Sequence, residues 1–244
     1  MIVNNTKNGY EIILHYAHAL QAGQIAQYIK AEHRPAYWLE TLCAIITHDD
    51  CQVNFERNNN VTKAGVPCDF KLIESDPKGI IERCVRVVER SRHRSGWVTL
   101  MILHHLDFIY QDLKESYAPL KKYLNGFMAL RNNVRKQYGV TKKQAAASYE
   151  LLRFCDRISL IVAQNQVPDG GRKLEINKSI NEKTYYITSD EGINIISPWP
   201  FEVSQFTICT EVYQVEQITF KNSTELQEHL MHLQPILRAF KFKN

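Results

Sequence analysis

No stretch of this chain approaches the roughly 18 consecutive apolar residues that a membrane-spanning helix requires. Its opening, MIVNNTKNGYEIILHY, lacks the basic segment, apolar run and cleavage site of a secretory signal. No membrane is therefore indicated, and the expected compartment is the cytoplasm. The six cysteines, Cys43, Cys51, Cys68, Cys84, Cys155 and Cys209, lie far apart with no CxxC pair. Several fall inside apolar helical patterns, and they read as reduced thiols. Charge is nearly balanced: 30 Lys and Arg face 26 Asp and Glu, a net +4. That permits attraction to a phosphorylated ligand but falls short of the dense basic character of a nucleic-acid binder. The tyrosines do not alternate with basic residues as on a base-stacking surface. Gly170-Gly171 lacks the strand, loop and helix context of a phosphate-binding loop and reads as a turn. No internal repeat or low-complexity tract is present.

What is present is an ordinary globular composition, 44% hydrophobic over 244 residues, enough for one large domain or two small ones. Ile2, Val3, Gly9, Tyr10, Ile12 and Leu14 suggest a short hairpin, after which the period turns helical. Helices are expected from Tyr16 to about Ala31, from Pro35 to the His48 region, and from the Ser75-Asp76-Pro77 start to the basic run Arg90–Arg94. Three more are expected: one from Ser95 or Gly96, one over Tyr117–Tyr138, and one capped by Thr141 and running through Asn165. Residues 51–70 read as a long loop. Beyond Pro168 the texture changes to strand-like runs at 174–176, 184–188, 193–196, 206–212 and 215–220, then a helix capped near Asn222 and an edge strand at 236–242. The expected fold is α+β: a mostly helical body over 1–166, with a smaller β-rich C-terminal part over 167–244 that the N-terminal hairpin joins.

Four helical stretches place ionisable residues inside apolar stripes. His18 heads the face Ala22, Ile25, Ala26 and Ile29, and Asp49 ends the series Trp38, Leu42, Ile45 and Ile46, with His48 beside it. His104 continues Trp97, Leu100 and Met101, and Asp156 shares its face with Leu152, Cys155 and Ser159. A buried carboxylate is costly unless paired, hydrogen-bonded or bound to a metal. Two nitrogen and two oxygen donors from His18, His48, Asp49 and Asp156 suit a borderline divalent ion such as Zn, Fe, Mn, Co or Ni. Four protein ligands would leave octahedral positions open for water or substrate, which favours catalysis over a structural role.

A helical His, an adjacent His-Asp on the next helix and a late helical Asp within Leu151–Leu160 form an order that resembles the HD-domain superfamily of metal-dependent phosphohydrolases, whose pattern is H...HD...D. The segments His18–Gly23, Ala44–Asp50 and Gly65–Phe70 are similar, more narrowly, to an uncharacterised bacterial family recorded as a domain of unknown function, nearly end to end. The resemblance implies an HD-like helical bundle and a divalent-metal-dependent phosphohydrolase. Its substrate would be a small phosphorylated molecule carrying a phosphate ester or phosphoanhydride, with nucleotides among the candidates. It implies that Asp50 orients or deprotonates a metal-bound water, and that His104 binds a second ion, donates a proton or contacts phosphate. His105, Arg92, His93, Arg94 and Lys63 become candidate substrate contacts.

Blander readings compete. A lone inward histidine is usually a hydrogen-bonded core residue, the Arg83–Arg94 run is more often a solvated face, and Asp50 can serve merely as a helix-end cap. Cys51-Gln52 stands where the narrower family has Gly-Trp, and no catalytic base is obvious. Both motivate an alternative, a non-catalytic HD-like module that binds or senses a metal or nucleotide. A nucleic-acid-associated role ranks last. Oligomeric state is not encoded in any feature of the sequence.

Overall fold

The computed structural model describes residues 1–50, 60–73 and 76–244. Its strands are β1 (Ile2–Thr6), β2 (Gly9–Ile13), β3 (Leu174–Lys178), β4 (Thr184–Asp190), β5 (Ile193–Ser197), β6 (Gln205–Val215) and β7 (Ile236–Lys243). The helices are α1 (His15–Ala26), α2 (Trp38–Thr47), α3 (Pro77–Arg92), α4 (Gly96–Ile109), α5 (Gln111–Ser116), α6 (Ala118–Asn125), α7 (Met128–Gln137), α8 (Lys142–Ala163) and α9 (Ser223–His232).

All seven strands form a single sheet in the order β1-β2-β6-β7-β5-β4-β3. This overturns the expectation of a mostly helical body with a small β-rich C-terminal part. The sheet is a major layer of the molecule, and its first two strands come from the opposite end of the chain, with Tyr10 registered against Val215 and Ile12 against Tyr213. Gly9, at φ 142°, makes the junction possible: a Cβ there would stand 2.0 Å from the Val215 carbonyl oxygen. The final strand is not at an edge. β7 lies between β6, antiparallel, and β5, parallel, because its alternating buried residues Phe240 and Phe242 fill the sheet's inner face. Residues 206–220, expected as two strands, contain one long strand ending at Val215.

Local capping chemistry explains the helix starts. Asp76 accepts from the Lys78 and Gly79 amides with Pro77 in the first turn, and Ser95 accepts from Val98 N. Thr141 and Gln144 close a capping box on α8, and Asn222 accepts from Glu225 N. Ser75 lies outside the described residues. The helix expected over 117–138 is divided into α6 and α7 around Gly126, and α2 begins at Trp38, three residues beyond Pro35.

The core lies between sheet and helices. Leu152, Phe154, Cys155 and Ile158 of α8 are fully buried and join one apolar cluster with Ile187, Ile196, Phe206, Ile208 and Phe242 of the sheet. Ala163 at the end of α8 packs with Ile2, Ile13 and Val212, tying that helix to the N-terminal hairpin. α1 and α2 approach closely at Gly23, where a Cβ would meet Ile46 Cγ1 at 2.5 Å. Among the described residues, no helix is long and apolar enough to cross a membrane.

Candidate metal centre

α1, α2 and α8 deliver His18, His48 with Asp49, and Asp156 to one place, and backbone and side-chain partners set how each group faces it. His48 follows the last turn of α2. Its Nδ1 lies 2.6 Å from the Ile45 carbonyl oxygen, which can only accept, so Nδ1 carries the proton and the neutral ring presents a bare lone pair at Nε2. The same logic holds for His18. Ser159 Oγ donates to the Asp156 carbonyl at 2.8 Å, which spends its one hydrogen, so it accepts from His18 Nδ1 at 3.0 Å. His18 Nε2 is thereby a second lone pair.

Both lone pairs converge on carboxylates. His18 Nε2 is 3.1 Å from Asp156 Oδ1 and 3.8 Å from Asp49 Oδ2. His48 Nε2 is 3.2 Å from Asp156 Oδ1 and 3.6 Å from Asp49 Oδ2. The 3.2 Å approach is too poorly aligned to count as a hydrogen bond, which leaves His48 Nε2 a buried orphan. Acceptors facing acceptors at such distances require positive charge between them, either a proton or a cation.

The groups fit a cation. Ligand atoms about 2.1 Å from a borderline divalent ion stand about 3.0 Å apart along an octahedral edge and about 3.4 Å apart in a tetrahedron. The four separations run from 3.1 to 3.8 Å, from just above the octahedral edge to somewhat beyond the tetrahedral one. Two overlapping sets of donors could hold a metal ion, His18 with His48 and Asp49, and His48 with His105 and Asp156. Without a cation, a proton takes that place: burial opposes charge on His48, but Asp156 and then Asp49 overcome it and raise its pKa to about 9. Burial likewise opposes ionisation of Asp49 and Asp156, yet His48 and the neighbouring cationic groups hold both well below the usual carboxylate range.

Asp49 has a further anchor that the sequence reading assigned to a solvated face. Arg83 on α3 is 8% exposed and donates from Nη2 to Asp49 Oδ1 at 3.1 Å and from Nη1 to Tyr110 Oη at 2.7 Å. Its position was a usable signal, because Arg83 lies three residues after Ile80 and four before Val87 on the apolar stripe of α3. His15 was also missed. It precedes His18 by about one helical turn, its Nδ1 is buried without a partner among the described residues, and its ring meets Phe70 edge-on at 5.2 Å. Burial first, then nearby positive charge, lowers its pKa to about 3.

Of the adjacent pair on α4, His105 and not His104 belongs to the donor groups. Neighbours on a helix point about 100° apart, so one ring faces the centre and the other does not. His105 is buried with its ring 5.0 Å from that of His48 and Nδ1 3.5 Å from Tyr149 Oη. His104 stacks on Tyr149 at 5.6 Å, beside the Asp107–Arg131 ion pair. Asp50 and Arg94, read separately as catalytic and substrate-binding, pair with each other at 2.8 Å. Arg92, His93 and Lys63 are exposed, and among the described residues none makes a hydrogen bond or ion pair with the cluster. Cys51 and Gln52 lie outside the described residues.

No curated protein and no solved structure matches the chain. A family model does match, over residues 1–217, a span that contains the whole cluster with the helices that carry it. The chain therefore belongs to the family described as "Protein of unknown function (DUF3891)".

Proposed function

We propose that the protein is a divalent-metal-dependent phosphohydrolase of HD type, acting on a phosphate ester or phosphoanhydride. The observation that supports this reading is the convergence of two imidazole lone pairs, each fixed by a hydrogen bond at the opposite ring nitrogen, on two partly buried carboxylates. A bound cation would acidify a coordinated water and offset charge on phosphoryl oxygens. His18, His48, Asp49 and Asp156 would hold it.

The remaining parts are roles for the chain's own residues. Ser159 and the Ile45 carbonyl lock the two imidazoles in the ligating tautomer, while Arg83 holds one oxygen of Asp49 and leaves the other facing the histidines. His105 stays neutral because burial, and then charge on His48, lowers its pKa to about 4. It stands 3.5 Å from Tyr149 Oη and would join the donor set. Opening of the Asp50–Arg94 pair would free a guanidinium for a phosphate and a carboxylate for a water.

The test is elemental analysis of protein purified with Mn, Fe, Co, Ni or Zn supplementation, followed by phosphate release from a panel of nucleotides and aryl phosphates. Retained metal, with turnover that His48→Ala and Asp156→Asn abolish, supports the reading. Retained metal with no turnover leaves the non-catalytic binding module, and no retained metal overturns the hydrolase and the metal-binding form of that module.

A further inference from the structure

A cavity of about 240 Å³ opens where the N-terminal ends of α2, α4 and α8 meet the chain after β3. It is separate from the metal centre. Along α8, Leu151 at the cavity is five residues from Asp156, about 7.5 Å; Trp97 on α4 is about 12 Å from His105, and Tyr37 before α2 is about 16 Å from His48.

Its lining mixes apolar and polar side chains, and several of the polar atoms are engaged elsewhere. Tyr37 Oη donates to the Tyr138 carbonyl at 2.6 Å, so its partly exposed ring offers only carbon surface, while Trp97, 1% exposed with Nε1 donating to Thr41 Oγ1 at 2.9 Å, packs against it from the core side. Ser148 Oγ donates to Gln144 O, and Gln144 Oε1 serves the cap of α8. Arg34 donates to the Ile29 and Gln27 carbonyls.

Ser179 is different. It is 8% exposed, lines the cavity, and its hydroxyl has no partner among the described residues. Two positions earlier, Asn177 is also 8% exposed with both amide atoms unpartnered. Buried polar groups are nearly always satisfied, so the Ser179 hydroxyl at the cavity marks a hydrogen bond held in reserve; Asn177 lies outside the lining. The next turn is strained: Asn181 and Glu182 take φ 53° and 59°, consecutive left-handed residues that are not glycine. That turn puts Ile180 and Asn181 at the cavity rim, where Glu182 reaches Lys143 of α8 at 3.3 Å. Among the described residues no Asp or Glu lines the cavity, and the charged lining comes from Arg34 and, when protonated, His33. The helix N-termini add partial positive charge.

We propose that this cavity is a second ligand site, taking a flat heteroaromatic molecule of nucleobase size that carries hydrogen-bonding ring nitrogens or carbonyls and no positive charge. Size supports a two-ring occupant, since an apolar cavity of about 150 Å³ already accepts benzene. The ligand's ring packs on Tyr37, its polar edge meets Ser179, and the electropositive lining selects against cations.

The experiment titrates the full chain with adenine and hypoxanthine, using calorimetry and ligand-observed NMR, with indole as a ring lacking acceptors and benzamidine as a cationic ring. Adenine or hypoxanthine should saturate below about 1 mM, more tightly than indole, with benzamidine not binding. Ala147→Phe, at an exposed helix position on the rim, should abolish binding, whereas Ala146→Phe, exposed on the same helix but off the cavity, should not. Ser179→Ala should weaken binding about fivefold. Asp156→Asn should leave affinity unchanged, which separates this site from the metal centre. Failure of both bases to bind, equal binding to wild type and Ala147→Phe, or benzamidine binding as tightly as hypoxanthine overturns the proposal.

Discussion

Arg83 Nη2 lies 3.1 Å from Asp49 Oδ1, joining α3 to the end of α2 through a buried ion pair whose second guanidinium arm holds Tyr110. The pair spends one oxygen of Asp49 on a permanent cation and aims the other, Oδ2, at His18 and His48. Removing one member of a buried pair leaves an uncompensated charge, so the relationship is structural as well as electrostatic.

Arg83→Gln should lower divalent-metal affinity about 10–100-fold, the usual cost of losing a group that orients a ligand. Competition titration against a chromophoric chelator measures this. Unchanged affinity would mean that Asp49 does not need Arg83 to be held in place.

Metal addition should raise the melting temperature of the wild type but not of His48→Ala. At a free concentration about 100 times Kd, binding contributes about 2.7 kcal/mol. A thermal scan of metal-free protein with and without Mn, Co or Zn reads the difference, and an equal rise in both proteins would place the ion elsewhere.

Ser159→Ala should cost about 1–3 kcal/mol in urea denaturation, because it strips the acceptor from a buried His18 N–H. The same change frees the His18 tautomer and should weaken metal binding. Ser159→Thr, which keeps the hydroxyl, should restore affinity.

Metal-free protein should have a stability maximum in pH with two distinct flanks. His48, raised to about 9, contributes stability that is complete below its unfolded value near 6.5 and is lost as pH climbs through about 9. His15, His104 and His105, lowered to about 3, 4 and 4, act oppositely. Their burial in neutral form is undisturbed above about 6.5, and stability then falls toward pH 4 as the unfolded chain takes up protons first, by up to about 1.4 kcal/mol per pH unit for each group. His105→Gln should shallow the acid flank in a melting-temperature series. Bound metal should flatten the alkaline flank, since the ion replaces the proton on His48.

The inward-facing positions of His18, His48, Asp49 and Asp156 were legible because helical amphipathicity is local: each residue is read against neighbours three and four away. Caps at Asp76, Ser95, Thr141 and Asn222 were legible for the same reason. Arg83 shared that periodic signal, but charge on a long side chain ordinarily marks a solvated face, and only the carboxylate opposite reverses that expectation. His104 and His105 show the limit most plainly. Adjacent residues differ by about 100° in direction, and the choice between them depends on how α4 is rotated against α2 and α8.

By itself the amino-acid order determined most of the helical segments, the capped starts at Asp76, Ser95, Thr141 and Asn222, and that imidazoles and carboxylates would be carried inward on several of them. Tertiary structure decided which strand the N-terminal hairpin pairs with, that the sheet is a major layer of seven strands with β7 in its interior, and that Arg83, Ser159 and His105 surround the cluster. Strand pairing across some two hundred residues and the rotation of one helix against another arise from packing of the assembled core, which no local window of residues contains.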